Sequence, residues 1–103
     1  MEPTGKLTEK QLRYLRGRAH PLKPVIQVGH NGLTEAVVQE TGRALADHEL
    51  IKVRVHGAER EARNTLLADL AARTASTLVT RIGHVAVLFK PDPEVSKFPL
   101  PRP

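Results

Sequence analysis

Val25-Ile26-Gln27-Val28-Gly29-His30-Asn31-Gly32-Leu33-Thr34 is the stretch from which the fold of this chain can be read. Val25 to Val28 is a short apolar run of the kind that forms a strand, and two glycines follow it three residues apart. Thr34 then stands where a helix N-cap belongs, with Leu33 and Val38 spaced to staple the helix entry. Val37, Val38, Thr41 and Leu45 recur at helical spacing, which predicts a helix ending near His48. Ile51, Val53 and Val55 next alternate with Lys52, Arg54 and His56, the pattern of a strand with one face open to water. A strand-helix-strand unit of this length calls for parallel pairing with a right-handed crossover.

Toward the C-terminus, Gly57 opens a third helical stretch, roughly Ala58 to Thr74, in which Ala62, Leu66, Leu70 and Thr74 recur with Leu67 and Ala71 alongside. Leu78 to Ile82 completes a second strand-helix-strand unit, for which the same parallel pairing is expected. Val85 to Phe89 follows after Gly83-His84 alone, which suits a two-residue hairpin turn with glycine first and makes the sheet mixed. Toward the N-terminus, Thr8 and Gln11 form a capping box and Leu7 can staple onto Leu12, so a helix is expected from about Glu9 to Ala19. The prolines of His20-Pro21-Leu22-Lys23-Pro24 end it, because each disfavours helical geometry in the residue before. The predicted architecture is α/β, two-layer, in the order α-β-α-β-α-β-β around a four-stranded mixed sheet. Residues 1–90 form a single domain with a flexible start over 1–6, and 91–103 form a proline-rich, extended, mobile tail with few buried side chains.

A chain of 103 residues suits a single hydrophobic core, and 40% hydrophobic with 26% charged residues places it among globular proteins, not disordered ones. The absence of cysteine excludes disulfides and thiolate metal sites. Met1 to Leu7 has no apolar run for a signal peptide, and no stretch approaches the ~20 apolar residues of a membrane span, so a cytoplasmic protein with no membrane partner is expected. The formal net charge of +5 has a location: Lys6, Lys10, Arg13, Arg16, Arg18 and Lys23 face Glu9 alone, and the remaining cations and anions balance. Clustering raises the local potential that attracts phosphates; the alternative is a merely solvated helix.

On the first helix Leu12, Leu15 and Ala19 share one face, while Lys10, Arg13, Tyr14 and Gly17 point the other way with Arg18 beside them. Tyr14 lies four residues from both Lys10 and Arg18, so a ribose or base could rest on its ring while the cations hold phosphates; it could equally cover the helix rim. Gly17 lets a ligand approach the backbone. The Gly29-x-x-Gly32 loop precedes a helix N-terminus, where free N–H groups and the helix dipole favour an anion, and a KH domain clamps about four nucleotides with the same tetrapeptide pattern. Two glycines at this spacing also make an ordinary turn. Neither a P-loop nor a dinucleotide fingerprint is present, so no nucleotide cofactor is indicated. With Tyr14, Phe89 and Phe98 the only aromatics, the multi-ring platform of a single-strand binder is missing, which favours shape and backbone readout of structured RNA. His20, His30, His48, His56 and His84 show no metal-binding spacing, and neither Ser76 nor Ser96 sits in a nucleophile elbow. A protein without metal, cofactor, small-molecule substrate or catalytic activity is expected.

His20-Pro21-Leu22-Lys23-Pro24, Gly29-x-x-Gly32-Leu33-Thr34 and His48-Glu49-Leu50-Ile51-Lys52-Val53 together resemble the CRM domain, named for chloroplast RNA splicing and ribosome maturation, and within it the single-domain bacterial YhbY-like group. The resemblance runs from about Leu7 to Phe89. It implies an α/β fold similar to the C-terminal domain of translation initiation factor three, an RNA surface built from the glycine loop and nearby basic residues, and a role in large (50S) ribosomal subunit assembly. The site residues expected to contact RNA are Lys10, Arg13, Tyr14, Arg18, His20, Lys23, Gly29, His30, Asn31, Gly32 and Thr34. Many members of the family carry Lys or Arg inside the loop, where this chain has His30 and Asn31, implying weaker attraction of phosphate there. The expected partner is RNA, 23S ribosomal RNA in pre-50S particles, bound by a monomer. The alternative is a non-catalytic protein-interaction module docking on an acidic ribosome-associated or regulatory protein.

Overall fold

In the computed structural model, which describes residues 7–103, the capping box forms as the sequence requires. Thr8 Oγ1 accepts from Gln11 N at 3.2 Å and Gln11 Oε1 accepts from Thr8 N at 3.0 Å, starting α1 at Glu9–Ala19. β1 (Pro24–Val28), α2 (Glu35–His48), β2 (Leu50–Val55), α3 (Arg60–Thr74), β3 (Thr77–Ile82) and β4 (Val85–Phe89) follow in the expected order. Helix α3 begins two residues later than its pattern suggests: Gly57 takes a left-handed φ of +73°, and Ala58 closes the turn by accepting from the Arg63 guanidinium. Ala62 accordingly stays exposed, and Leu67, Leu70, Ala71 and Thr74 make the buried stripe.

The sheet order is β1-β2-β4-β3, with β1 parallel to β2 and both other pairings antiparallel. The second strand-helix-strand unit therefore departs from the expected direct pairing: β3 pairs only with β4, which is inserted between it and β2. Burial explains the choice. Ala86 to Phe89 are all buried, so the wholly apolar β4 takes the centre, whereas Thr77-Leu78-Val79-Thr80-Arg81-Ile82 can leave a polar edge in water. The hairpin turn has its positive φ at Gly83 (+61°) and none at His84, the glycine-first geometry anticipated.

Two clusters make the core. Ile26, Val28, Ile51, Val53, Val55, Ala86 and Leu88 line one sheet face beneath Leu45 of α2 and Leu67, Leu70 and Ala71 of α3. This is the two-layer arrangement. On the opposite face Leu50, Val79, Val87 and Phe89 are covered by Leu15 and Ala19 of α1, so α1 adds a partial third layer over one end of the sheet.

Residues 91–103 carry no helix or strand but do not lack buried contacts as expected. Phe98 meets Phe89 edge to face with ring centroids 6.1 Å apart, Leu100 packs on the second cluster, and Gln11 Nε2 donates to Pro101 O at 3.0 Å. Glu49, only 2% exposed and at φ +67°, accepts from Ser96 Oγ at 2.6 Å and from Lys97 N at 2.9 Å. A buried carboxylate needs such charge-assisted donors, and the tail supplies them. The expectation concerning residues 1–6 falls outside the described residues.

Candidate nucleic-acid interface

The partial third layer fixes which way α1 faces. With Leu15 and Ala19 buried against the sheet, Lys10, Arg13 and Gly17 project into solvent on the far side of the helix. Neither Lys10 nor Arg13 forms an ion pair or side-chain hydrogen bond among the described residues, whereas Arg16 is paired with Glu9 at 3.0 Å. Tyr14 is half-buried at the helix rim and packs against the second core cluster. Its hydroxyl accepts from Arg18 Nη1 at 3.0 Å, and the Arg18 guanidinium lies 5.9 Å from the Tyr14 ring centroid and 4.9 Å from that of Phe98. Arg18 is thus held between two rings yet remains exposed, so its guanidinium is ordered before any ligand arrives.

The helix ends at His20, whose N–H bonds back to Arg16 O and whose carbonyl accepts from Lys52 Nζ at 3.3 Å. The cation beside a helix C-terminus is favourable electrostatically, and it ties α1 to the middle of β2. The His20 side chain and Lys23 are exposed.

The glycine loop lies at the C-terminal end of β1. Gly32 N donates to Gly29 O at 3.1 Å, Thr34 N donates to Gly32 O at 3.0 Å, and Thr34 Oγ1 caps α2 by accepting from Val37 N at 3.2 Å. The two glycines differ in kind. Gly32 has φ +68°, a conformation that strains other residues, while Gly29 lacks a positive φ and a Cβ there would meet nothing within 4 Å. The backbone at Gly29 therefore does not itself require glycine, and a side chain there would stand in open space. The His30 ring rests on Gly57, where a Cβ would come to 2.7 Å from His30 Cε1, while Asn31 is exposed at the loop tip.

The structure thus divides the expected residues into two groups. Lys10, Arg13, Tyr14, Arg18 and His20 belong to α1 and its cap, with Lys23 just beyond; Gly29, His30, Asn31, Gly32 and Thr34 form the loop. Strand register sets the interval between them: Lys52, under the α1 cap, pairs with Pro24, while Val55 pairs with Val28 at the start of the loop. Between the groups lies the half of the sheet that α1 leaves open, with Arg54 and His56 following Lys52 on the same face. His56 Nε2 is 2.6 Å from Gln27 Oε1 on the neighbouring strand. The alternation of β2 marks these residues as solvent-facing, but the sequence offers no sign that they join the helix to the loop. The support of Arg18 by Phe98 was equally hidden, because it depends on the tail folding back.

An α/β domain that carries a cationic helix on one sheet face and a glycine loop at that sheet's end defines a structural class. The profile of the CRS1 / YhbY (CRM) domain matches residues 7–90, and the chain belongs to this family. Among its relatives, an RNA-binding protein of Haemophilus influenzae is 46% identical over 96 residues, covering 93% of this chain and 96% of its own. The "Probable RNA-binding protein YqeI" of Bacillus subtilis is 39% identical over 95 residues, covering 92% and 99%. The solution structure of the hypothetical protein SAV1595 from Staphylococcus aureus superposes with a TM-score of 0.81 at 35% identity, covering 93% of this chain and all of that one.

Proposed function

We propose that this protein binds structured RNA through the outer face of α1 and the Gly29–Gly32 loop, without catalysis or cofactor. One observation carries the reading: the segment that accounts for the net positive charge, residues 6–23, contributes a helix whose apolar side is consumed by the sheet, leaving Lys10 and Arg13 exposed and unpaired among the described residues. Cations so placed cost little to present to phosphates and gain from counterion release when they do. Two relatives that align over nearly the full chain are named for RNA binding, which supports RNA as the partner.

The finer proposal is that the RNA is 23S ribosomal RNA in precursors of the large ribosomal subunit, where the protein acts as a cytoplasmic monomer in assembly. It is supported by the combined resemblance of the His20–Pro24, Gly29–Thr34 and His48–Val53 motifs to the stand-alone bacterial members of the family. The deciding experiment compares binding to pre-50S particles with binding to 23S ribosomal RNA stripped of protein. Comparable retention on the stripped RNA is the expected result. Retention on particles combined with loss on protein-free RNA would mean that the basic helix grips an acidic ribosomal protein instead.

A further inference from the structure

We propose that the open half of the sheet is the middle of the RNA surface: a strand of RNA passing from α1 to the glycine loop lays its phosphates over Lys52 and Arg54 and its sugars and base edges on Ile82 and Val85. The proposal rests on the RNA reading above and adds a third contact region to it.

The first argument is position. The α1 cap is fastened to Lys52, the His30 ring is seated on Gly57, and β2 runs between these two points. At ~3.3 Å per residue the span from Lys52 to His56 is about 13 Å, and a ligand that touches both ends must cross it. Next comes charge. None of the four strands contains Asp or Glu, and Lys52 and Arg54 point to the same face about 7 Å apart. Arg54 is exposed, with no ion pair or side-chain hydrogen bond among the described residues.

The floor beside these cations is apolar where a solvated sheet would be polar. Val85 pairs with Arg54 across the β2–β4 ladder and with Ile82 across the hairpin, and Ile82 is 76% exposed. Lys52, Thr80, Ile82, Val85 and Val87 enclose a shallow depression of about 220 Å³. Cations flanking an aliphatic floor suit a polymer that alternates phosphates with flat, less polar sugar and base surfaces. An acidic peptide would satisfy the cations, but it would need aliphatic side chains interleaved with its carboxylates to use the floor, whereas every RNA strand carries both kinds of surface at a fixed repeat.

The test measures binding to protein-free 23S ribosomal RNA across a salt series for the wild type, Arg54→Gln, Ile82→Ser and, as a control on the opposite side of the sheet, Arg43→Gln on α2. Arg54 and Ile82 are exposed, so both substitutions should leave the fold intact. Arg54→Gln is expected to weaken binding about three- to tenfold and to flatten the logarithmic salt slope by ~0.7 to 0.9, the loss of one phosphate contact. Ile82→Ser should weaken binding with the slope unchanged, and Arg43→Gln should match the wild type. Wild-type affinity and slope in Arg54→Gln, or an equal loss in Arg43→Gln, would overturn the sheet proposal while leaving the RNA reading standing. Absence of binding by the wild type would overturn the RNA reading, and this proposal with it.

Discussion

Replacing Phe98 with alanine tests whether the C-terminal tail is part of the folded domain and part of the site. Complete burial makes a Phe→Ala change cost ~3 to 5 kcal/mol. Phe98 is half-buried, so about half of that applies, and the edge-to-face contact with Phe89 brings the expected loss to about 2 to 3 kcal/mol. Since each kcal/mol moves the midpoint of a domain this size by roughly 4 °C or more, Tm should fall by about 10 °C, with a matching shift in a urea titration followed by far-ultraviolet circular dichroism. The same substitution removes the nearer of the two rings that hold Arg18. RNA affinity should therefore drop, and Phe98→Ala and Arg18→Ala should be non-additive in a binding cycle, with a coupling of about 0.5 to 1 kcal/mol. A stability change below ~0.5 kcal/mol, the range of neutral surface substitutions, would refute the docked tail, and strict additivity would refute the positioning of Arg18.

Two further substitutions separate backbone effects from ligand effects. Gly17→Ala has open space around its new Cβ, so it should stabilise α1 by up to ~1 kcal/mol in thermal unfolding yet weaken RNA binding, because on the proposed surface the methyl group would stand in the path of the phosphate backbone. Ala75 closes α3 at φ +55°, in left-handed geometry, with Ser76 N donating to Ala71 O. Ala75→Gly should relieve that conformation and raise stability by about 1 kcal/mol without altering RNA affinity, as urea titration and filter binding would show.

Local signals in the chain carried most of the fold. Thr8 with Gln11, Thr34 with its glycine loop and Gly83 with its hairpin are short-range arrangements whose geometry is set by the residues themselves, and each forms as its sequence predicts. Strand order is a competition between segments, and pairing rules applied to one unit at a time missed that β4 would displace β3 from the centre. The signal was present in the contrast between Val85-Ala86-Val87-Leu88-Phe89 and the threonine-bearing β3. The tail was harder to read. Its prolines suggested solvent, but Phe98 and Leu100 find the second core cluster, and Glu49, whose sequence context resembles an ordinary helix end, is buried to receive them.

The candidate site follows the same division. The outward direction of Lys10 and Arg13 was legible from helical period alone, since it depends only on which side Leu15 and Ala19 occupy. The difference between Gly29 and Gly32 was not, because it lies in backbone angles that a tetrapeptide pattern does not encode. Nor could the strand period alone show that Lys52, Arg54 and His56 fill the interval between helix and loop, since that requires the α1 cap and His30 to be located on the sheet.

Salt-dependent binding of the purified protein to protein-free 23S ribosomal RNA, measured beside Gly29→Ala and a Lys10→Gln/Arg13→Gln double variant, tests the central claim most directly. The account predicts steep salt dependence in the wild type, a slope lower by about 1.4 to 1.8 in the double variant for two lost phosphate contacts, and weaker binding by Gly29→Ala with its stability unchanged. Binding that is insensitive to salt, or indifferent to all of these substitutions, would contradict it.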